Sequence, residues 1–219
     1  MFIGHAAVAL AAKPLLPRVN LALPLAAAFW VDMVWPLFLL LGIEQVRIDP
    51  GNTAFTPLDF VHYPWTHSLA AAIGWSVLFG LACLKCGRRE ALVLGLIVFS
   101  HWVLDALSHR PDLPLWPGSQ TMIGLGLWNS VPWTMIVEGA MFAAGAWIYA
   151  RSAPARDRIG TWAFRGLIAL LALIYLGNVF GPPPPSVAAI AVAGLAGFVL
   201  FTAWAWWIDR HRGAAAASR

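Results

Sequence analysis

The chain has 219 residues, of which 60% are hydrophobic and only 11% are charged. Ordinary soluble domains carry about 25% charged residues, so this composition excludes a typical water-soluble globular protein. The formal net charge of +4 does not by itself indicate a nucleic-acid partner, because the positions of the charges matter more than their sum. Short connections between the apolar runs leave no room for a separate soluble domain, so we interpret residues 1–219 as one integral membrane domain.

Six apolar runs are long enough to span a bilayer, which takes about 20 mainly apolar residues. They cover approximately residues 20–42, 67–84, 90–108, 130–150, 163–180 and 186–208. A shorter run, residues 2–12, precedes Pro14, and proline ends a helix because it lacks a backbone donor and clashes with the preceding turn. The sequence therefore predicts an all-α, polytopic transmembrane helix bundle of six spans plus a short inserted N-terminal helix.

The positive charges predict the orientation of this bundle. Of the 14 lysines and arginines, all except Arg47 and Arg110 fall near residues 13–18, 85–89, 151–165 and 210–219. By the positive-inside rule these segments, including the C-terminus, lie in the cytoplasm, and the alternate loops face the exterior.

Three acidic residues, Asp32, Asp105 and Glu138, fall inside the predicted spans. Each costs about 2.5–3.5 kcal/mol to insert, or roughly 7–10 kcal/mol together. The spanning cores contain no lysine or arginine to offset this cost. Histidines, backbone donors, water or a metal cation must therefore compensate these carboxyl groups.

Histidines occur at matching depths. His101 and Asp105 are four residues apart and share one helix face. The helical rise of about 1.5 Å per residue places these two residues, Glu138 and Asp32 about 6–15 Å below the outer ends of their spans. His67 begins its run at the outer surface.

Two further histidines depend on local geometry. His5 reaches the middle depth if its helix is inserted with the amino end outward. His109 would lie about 12 Å along the helix axis from His101 and rotated by about 80°, so one ion cannot easily bind both. His109 then serves a second ion or acts outside the first coordination shell.

We predict that one or two divalent ions bind at His5, Asp32, His67, His101 and Asp105. A mixed histidine and carboxylate set favours Zn, with Mn or Fe also suitable. Simpler interpretations remain open: a hydrogen-bonded pair for His101 and Asp105, a protonated carboxyl bonded to a backbone carbonyl for Glu138, and solvated loop residues for His62, His109 and Asp112.

These residues resemble the YdjM-like family of membrane-bound, metal-dependent hydrolases of bacterial inner membranes, which includes proteins described as LexA-regulated. The matching pieces are Gly4-His5, Asp32, Thr66-His67-Ser68 and the segment from Ser100-His101 through Asp105 to His109. The family often has a Pro-Asp-hydrophobic-Asp element, but this chain has Val31-Asp32-Met33-Val34. The second acid is absent, which leaves the number of ions open.

The resemblance implies a metal-dependent hydrolase in a bacterial inner membrane. We expect the substrate to be a lipid or amphiphilic ester, with a phosphoester favoured, at the outer leaflet. Glu138 or His109 would act as general base or acid. In this interpretation residues 1–140 build the site and the spans within 163–208 are structural.

Two alternatives from other classes remain. Buried acids also serve proton- or cation-coupled transporters, which need a polar path to both sides. A membrane scaffold with a structural metal would have every coordination position filled by protein.

Overall fold

The computed structural model describes residues 1–213, and 68% of these residues are helical. Arg219, which the predicted basic segment 210–219 includes, lies outside the described residues. The helices are α1 (Ile3–Ala11), α2 (Ala22–Ala28), α3 (Trp30–Leu40), α4 (Pro64–His67), α5 (Leu69–Ala82), α6 (Arg88–Ser108), α7 (Val131–Ser152), α8 (Arg158–Phe180) and α9 (Val187–Arg210). Short 3-10 turns occur at Lys13–Leu15, Leu84–Cys86 and Leu127–Asn129. The prediction of a helical bundle agrees with this architecture.

Four described helices, α6 to α9, are long and apolar enough to cross a membrane, and α2 with α3 makes a fifth candidate if the bent pair is one span. The predicted count of six spans is not confirmed. The run at 67–84 forms only the 14-residue α5, because His67 belongs to the separate turn α4 and Ser68 is extended. At 1.5 Å per residue α5 is about 21 Å long, short of the roughly 30 Å hydrocarbon core.

The run at 20–42 is broken rather than continuous. Helices α2 and α3 meet at Phe29 with a bend of 55°. The break places Asp32 in the first turn of α3, where unsatisfied backbone N–H groups favour a carboxylate. It also places the Ala28 carbonyl at the end of α2, where the His101 side chain of α6 contacts it.

Helix α1 lies inside the bundle and packs along α7. Most of its residues are buried, including His5 and Leu10, each about 1% exposed. At Gly145 of α7 an added Cβ would lie 2.5 Å from the Ala7 carbonyl oxygen. The two backbones therefore touch because Gly145 has no side chain, and this close approach helps to fix the position of His5.

The loops beyond α3 and α6 contain two small antiparallel sheets that the all-α prediction did not include. Strand β1 (Gln45–Ile48) pairs with β2 (Leu58–His62), and β3 (Leu113–Pro114) pairs with β4 (Met122–Ile123). These loops lie at the end of the bundle where α6 finishes and α7 begins, and we call this the loop end. They carry side chains that flank the predicted metal ligands, His5, Asp32, His67, His101 and Asp105.

The opposite end of the bundle is closed by a polar network. The Lys13 ammonium donates to the Val19 carbonyl at 2.7 Å and to Asp209 at 2.6 Å. The Tyr149 hydroxyl also donates to Asp209, at 2.9 Å. These contacts tie the first turn after α1 to α7 and α9.

Candidate metal centre

The five predicted ligands come together at one place near the loop end. Two sets of three have potential ligand atoms within 4.8 Å of one another, namely His5 with His101 and Asp105, and Asp32 with His67 and His101. The five residues come from α1, α3, α4 and α6, so the chain brings them together from four separate elements. Buried histidine and aspartate clusters of this kind could hold a metal ion.

His101 is oriented by the broken helix. Its Nδ1 lies 2.9 Å from the Ala28 carbonyl oxygen, and because a carbonyl only accepts, Nδ1 carries the proton and donates. Its Nε2 lies 3.1 Å from Asp105 Oδ2 and 3.5 Å from Asp32 Oδ1. Neither approach has hydrogen-bond geometry, and Nε2 has no partner. In the neutral tautomer the Nε2 lone pair faces two carboxylates, an arrangement that a cation between them would stabilise.

His67 is also oriented by hydrogen bonds, through the side chains of Thr66 and Glu44. Thr66 Oγ1 donates to Glu44 Oε2 at 2.6 Å and lies 2.6 Å from His67 Nδ1. Because the hydroxyl proton is used on Glu44, Nδ1 of His67 donates to Thr66. His67 Nε2 then faces Asp32 Oδ1 and Asp105 Oδ2, each at 3.8 Å. Such outer partners fix the tautomer of metal-binding histidines in known sites.

His5 and Asp105 complete the cluster on the side of α1. His5 Nε2 lies 3.2 Å from Asp105 Oδ1, and the His5 ring stacks on His101 with centroids 3.7 Å apart. Neither His5 nitrogen has a hydrogen bond. Asp105 Oδ1 also accepts from the Met1 ammonium at 2.7 Å. Asp105 therefore directs one oxygen toward His5 and the other toward His101 and His67.

The distances can be compared with a known coordination geometry. Nitrogen and oxygen ligands of Zn at about 2.0–2.2 Å in a tetrahedron lie about 3.3–3.6 Å apart. The nitrogen-to-oxygen separations of 3.1–3.8 Å around His67, Asp32, His101 and Asp105 bracket that range. Small side-chain movements would bring the ligand atoms of either group of three onto one ion. The donor set and the unpartnered nitrogens fit a divalent cation.

His109 lies beside the cluster but is held by other residues. Helix α6 ends at Ser108 and the chain turns to an extended conformation at His109, which brings His109 Nε2 to 4.0 Å from Asp105 Oδ1. The sequence did not predict this approach to Asp105, because the estimate of about 12 Å concerned only the separation of His109 from His101 along the helix axis. His109 Nδ1 lies 3.0 Å from Asp112 Oδ1, and an imidazole facing a carboxylate at this distance donates.

Asp112 is held in turn by Tyr63, whose hydroxyl donates to Asp112 Oδ1 at 2.6 Å. Burial first, and then the Asp112 carboxylate, raise the pKa of Tyr63 well above its usual value. The phenol therefore keeps its proton and its hydrogen bond. This answers a question that the sequence left open: Asp112 contacts His109, whereas His62 is exposed on β2.

Glu138 has a different place from the one predicted. Its Oε2 accepts from the backbone N–H groups of Phe2 and Gly4 at 3.0 and 3.2 Å, so it caps the start of α1. It is fully buried and is not among the described residues that line the adjoining cavity. Of the two predicted acid–base residues, only His109 faces that cavity.

The cluster opens into a cavity of about 860 Å³. Asp32 is the accessible member, with 37% of its side chain exposed, whereas His5, His67, His101 and Asp105 are at most 4% exposed. Asp32, His67, Asp105 and His109 all line the cavity. A ligand in the cavity would therefore reach an ion from the Asp32 side.

Sequence reasoning did not find two members of this arrangement. Thr66 could have been found from its position next to His67. Glu44 carries no such signal, because its contact with Thr66 depends on how the loop of residues 41–63 closes.

The fold and the cluster define a helical protein suited to a membrane, with a buried histidine and aspartate group that could hold a metal ion. Comparison with protein-family models, with curated proteins and with solved structures finds no match for this chain. Function is therefore inferred from the site itself.

Proposed function

We propose that this protein is a membrane-embedded, metal-dependent hydrolase of a lipid or amphiphilic ester, with a phosphoester favoured. The observation that carries the proposal is the pair of oriented imidazoles, His67 and His101, whose free Nε2 atoms face Asp32 and Asp105 at the wall of a cavity. A structural metal has all its positions filled by protein, whereas a catalytic metal keeps one open. Access through Asp32 favours the catalytic case over a scaffold.

The chemistry assigns separate tasks to the residues. When bound, a divalent ion supplies the Lewis acidity that activates water at neutral pH and polarises an ester or phosphoryl oxygen. Asp32, His67 and His101, the group of three that includes the accessible Asp32, would hold it and leave one position open toward the cavity, with Asp105 and His5 beside them. The ligand types favour Zn over Mn or Fe. His109, with Nδ1 held by Asp112, presents Nε2 to the cavity and acts as the general acid or base.

The transporter alternative receives less support. Proton or cation transfer needs a polar path from the cluster to the other end of the bundle. The residues of α6 below His101 are apolar and buried, as Leu94, Ile97 and Val98 are each at most 4% exposed. We therefore favour chemistry at the cluster over passage through it.

The same proposal includes family and location. We propose membership of the YdjM-like family, placement in a bacterial inner membrane, and a site facing the exterior, as the distribution of Lys and Arg residues predicts.

The direct test is elemental analysis of purified protein together with a chelator-sensitive assay on lipid phosphoesters. We expect wild type to carry stoichiometric metal, His101→Ala and Asp105→Asn to lose most of it, and His62→Ala to keep it. Activity should disappear with chelator and return with Zn. Metal-free wild type, or hydrolysis indifferent to chelator, would contradict the proposal.

A further inference from the structure

The cavity beside the cluster is far larger than an ion and its water require. Its volume of about 860 Å³ falls in the range of pockets that bind whole small molecules, about 300–1,000 Å³. It lies between α3, α8, α9 and the loop of residues 50–58. Helices α8 and α9 were expected to be only structural, but both form its wall.

The walls are polar at one end and apolar elsewhere. The ionisable side chains among the described lining residues are Asp32, His67, Asp105 and His109, all at the cluster. Away from it the wall is formed largely by aromatic, aliphatic, proline and glycine residues, such as Phe55, Ile174, Pro36, Gly197 and Phe201. A ligand matching this distribution has one anionic or ester end and a long apolar body.

The apolar part of the cavity reaches the surface of two candidate spans. Gly177 of α8 and Leu200 of α9 line it and are exposed. Neighbouring outward residues on α9, such as Val192 and Val199, are at least 60% exposed, as expected of a helix face in contact with lipid. An apolar chain could therefore enter sideways from the bilayer without crossing water.

Gly177 leaves part of this space free. A Cβ built at Gly177 would meet no atom within 4 Å, although the residue lies on the cavity wall. Gly74 of α5 is a matched position: it is also helical, exposed and free of neighbours within 4 Å, but it does not belong to the cavity. The two glycines differ mainly in what their added side chains would occupy.

We propose that this cavity binds the hydrocarbon chain of an amphiphile whose ester group lies at the histidine and aspartate cluster, and that Gly177 sets how much chain it admits. The proposal rests on the proposed function for the position of the ester group. The distribution of polar and apolar residues on the wall indicates what kind of molecule binds there. It matches an amphiphile whose polar group lies at the cluster and whose hydrocarbon chain lies along the apolar wall.

The test is photocrosslinking in a defined bilayer. The probe is a phosphatidic acid with a diazirine near the end of one acyl chain, mixed into phosphatidylcholine vesicles that contain the full-length protein, with adducts mapped by mass spectrometry. We expect adducts on Phe55 and Phe201, which are each at most 9% exposed and so are shielded from bulk lipid. In Gly177→Leu these adducts should fall several-fold, and in Gly74→Leu they should equal wild type.

Adducts confined to outward positions such as Val192 and Val199, or cavity adducts unchanged in Gly177→Leu, would overturn the proposal. Metal content measured on the same samples separates the two ideas. Cavity adducts in a protein that holds no metal would contradict the hydrolase and leave chain binding standing. Stoichiometric metal without cavity adducts would contradict chain binding and leave the metal site standing.

Discussion

The hydroxyl oxygen of Thr66 lies 2.6 Å from Nδ1 of its neighbour His67, and the hydroxyl donates its hydrogen bond to Glu44. This contact fixes the tautomer of His67, so that Nε2 is free to face Asp32 and Asp105. Glu44 Oε1 also accepts from the backbone N–H groups of Trp65 and Thr66 at 2.8 and 2.9 Å. A single loop carboxylate thus holds both the backbone and the side chains that orient one predicted ligand.

Replacing Thr66 by valine should weaken metal binding without removing a ligand. The valine side chain would keep the shape of the threonine but lose the acceptor for His67 Nδ1, and the loss of such partners typically costs 10–100-fold in metal affinity. We expect a Zn dissociation constant about 10–100-fold higher, measured by competition with a chromogenic chelator.

Thr66→Ser is the control for that change, because it restores the hydroxyl and should bind Zn close to the wild-type level. Equal affinity in Thr66→Val and wild type would show that the Thr66 contact does not matter to the site.

Removing the His109 imidazole should separate catalysis from metal binding. His109 faces the cavity but belongs to neither of the two metal-binding groups of three residues. General acid–base catalysis contributes about 10²–10⁴-fold, so His109→Ala should lower kcat on a lipid phosphoester by that factor while metal content stays stoichiometric. His62→Ala, on the exposed end of β2, should change neither quantity.

Asp112→Asn tests the partner that orients this imidazole. We expect kcat to fall and KM to change little, because Asp112 contacts His109 rather than the cavity. If His109→Ala instead emptied the metal site, His109 would be a ligand and its assignment as acid or base would be wrong.

The clustering of the candidate ligands could be predicted from sequence because bilayer insertion makes each ionisable residue expensive. Asp32, His101 and Asp105 stand out in apolar runs, and helical spacing alone pairs the last two. The approach of His109 to Asp105 could not be predicted, because the apolar run indicates that the helix ends near Ser108 but not which way the chain turns after it. Glu138 was assigned to catalysis because the sequence does not show that the start of α1 lies against α7.

The helical architecture could likewise be predicted from apolar runs, whereas interruptions within the runs could not. Ser68 separates α4 from α5 by capping the latter, with its Oγ accepting from the Ala71 N–H at 3.1 Å. The bend at Phe29 leaves the Ala28 carbonyl for His101. Hydropathy records neither break, and both breaks position candidate metal ligands.

The start of α8 provides a pH-dependent prediction away from the site. Asp157 accepts from the Gly160 N–H at 2.8 Å and contacts His211 Nδ1 at 2.7 Å, and the Gly160 hydrogen bond first, with the His211 contact next, lowers the pKa of Asp157 below its ordinary 3.8. A lowered pKa stabilises the folded state at pH values above that ordinary value, and the stabilisation is lost as pH falls through the folded-state pKa. Wild type should therefore melt higher than Asp157→Ala at pH 7, and the difference should shrink progressively below about pH 4. A gap in melting temperature that persists unchanged into strong acid would contradict the ionised cap.

Helix α7 offers two glycines that should respond in opposite directions to alanine. At Gly145 the added Cβ would lie 2.5 Å from the Ala7 carbonyl oxygen and 2.9 Å from the Ala7 Cα, so α1 must shift, at a cost of about 1–3 kcal/mol for overpacking. At Gly139 the added Cβ meets nothing within 4 Å, and alanine is favoured over glycine in a helix by up to about 1 kcal/mol. Thermal unfolding in one detergent should show a lower Tm for Gly145→Ala and an equal or higher Tm for Gly139→Ala. Because α1 carries His5, Gly145→Ala should also reduce the affinity for Zn, and a variant with a normal Tm and normal Zn binding would show that α1 is not held in place by this contact.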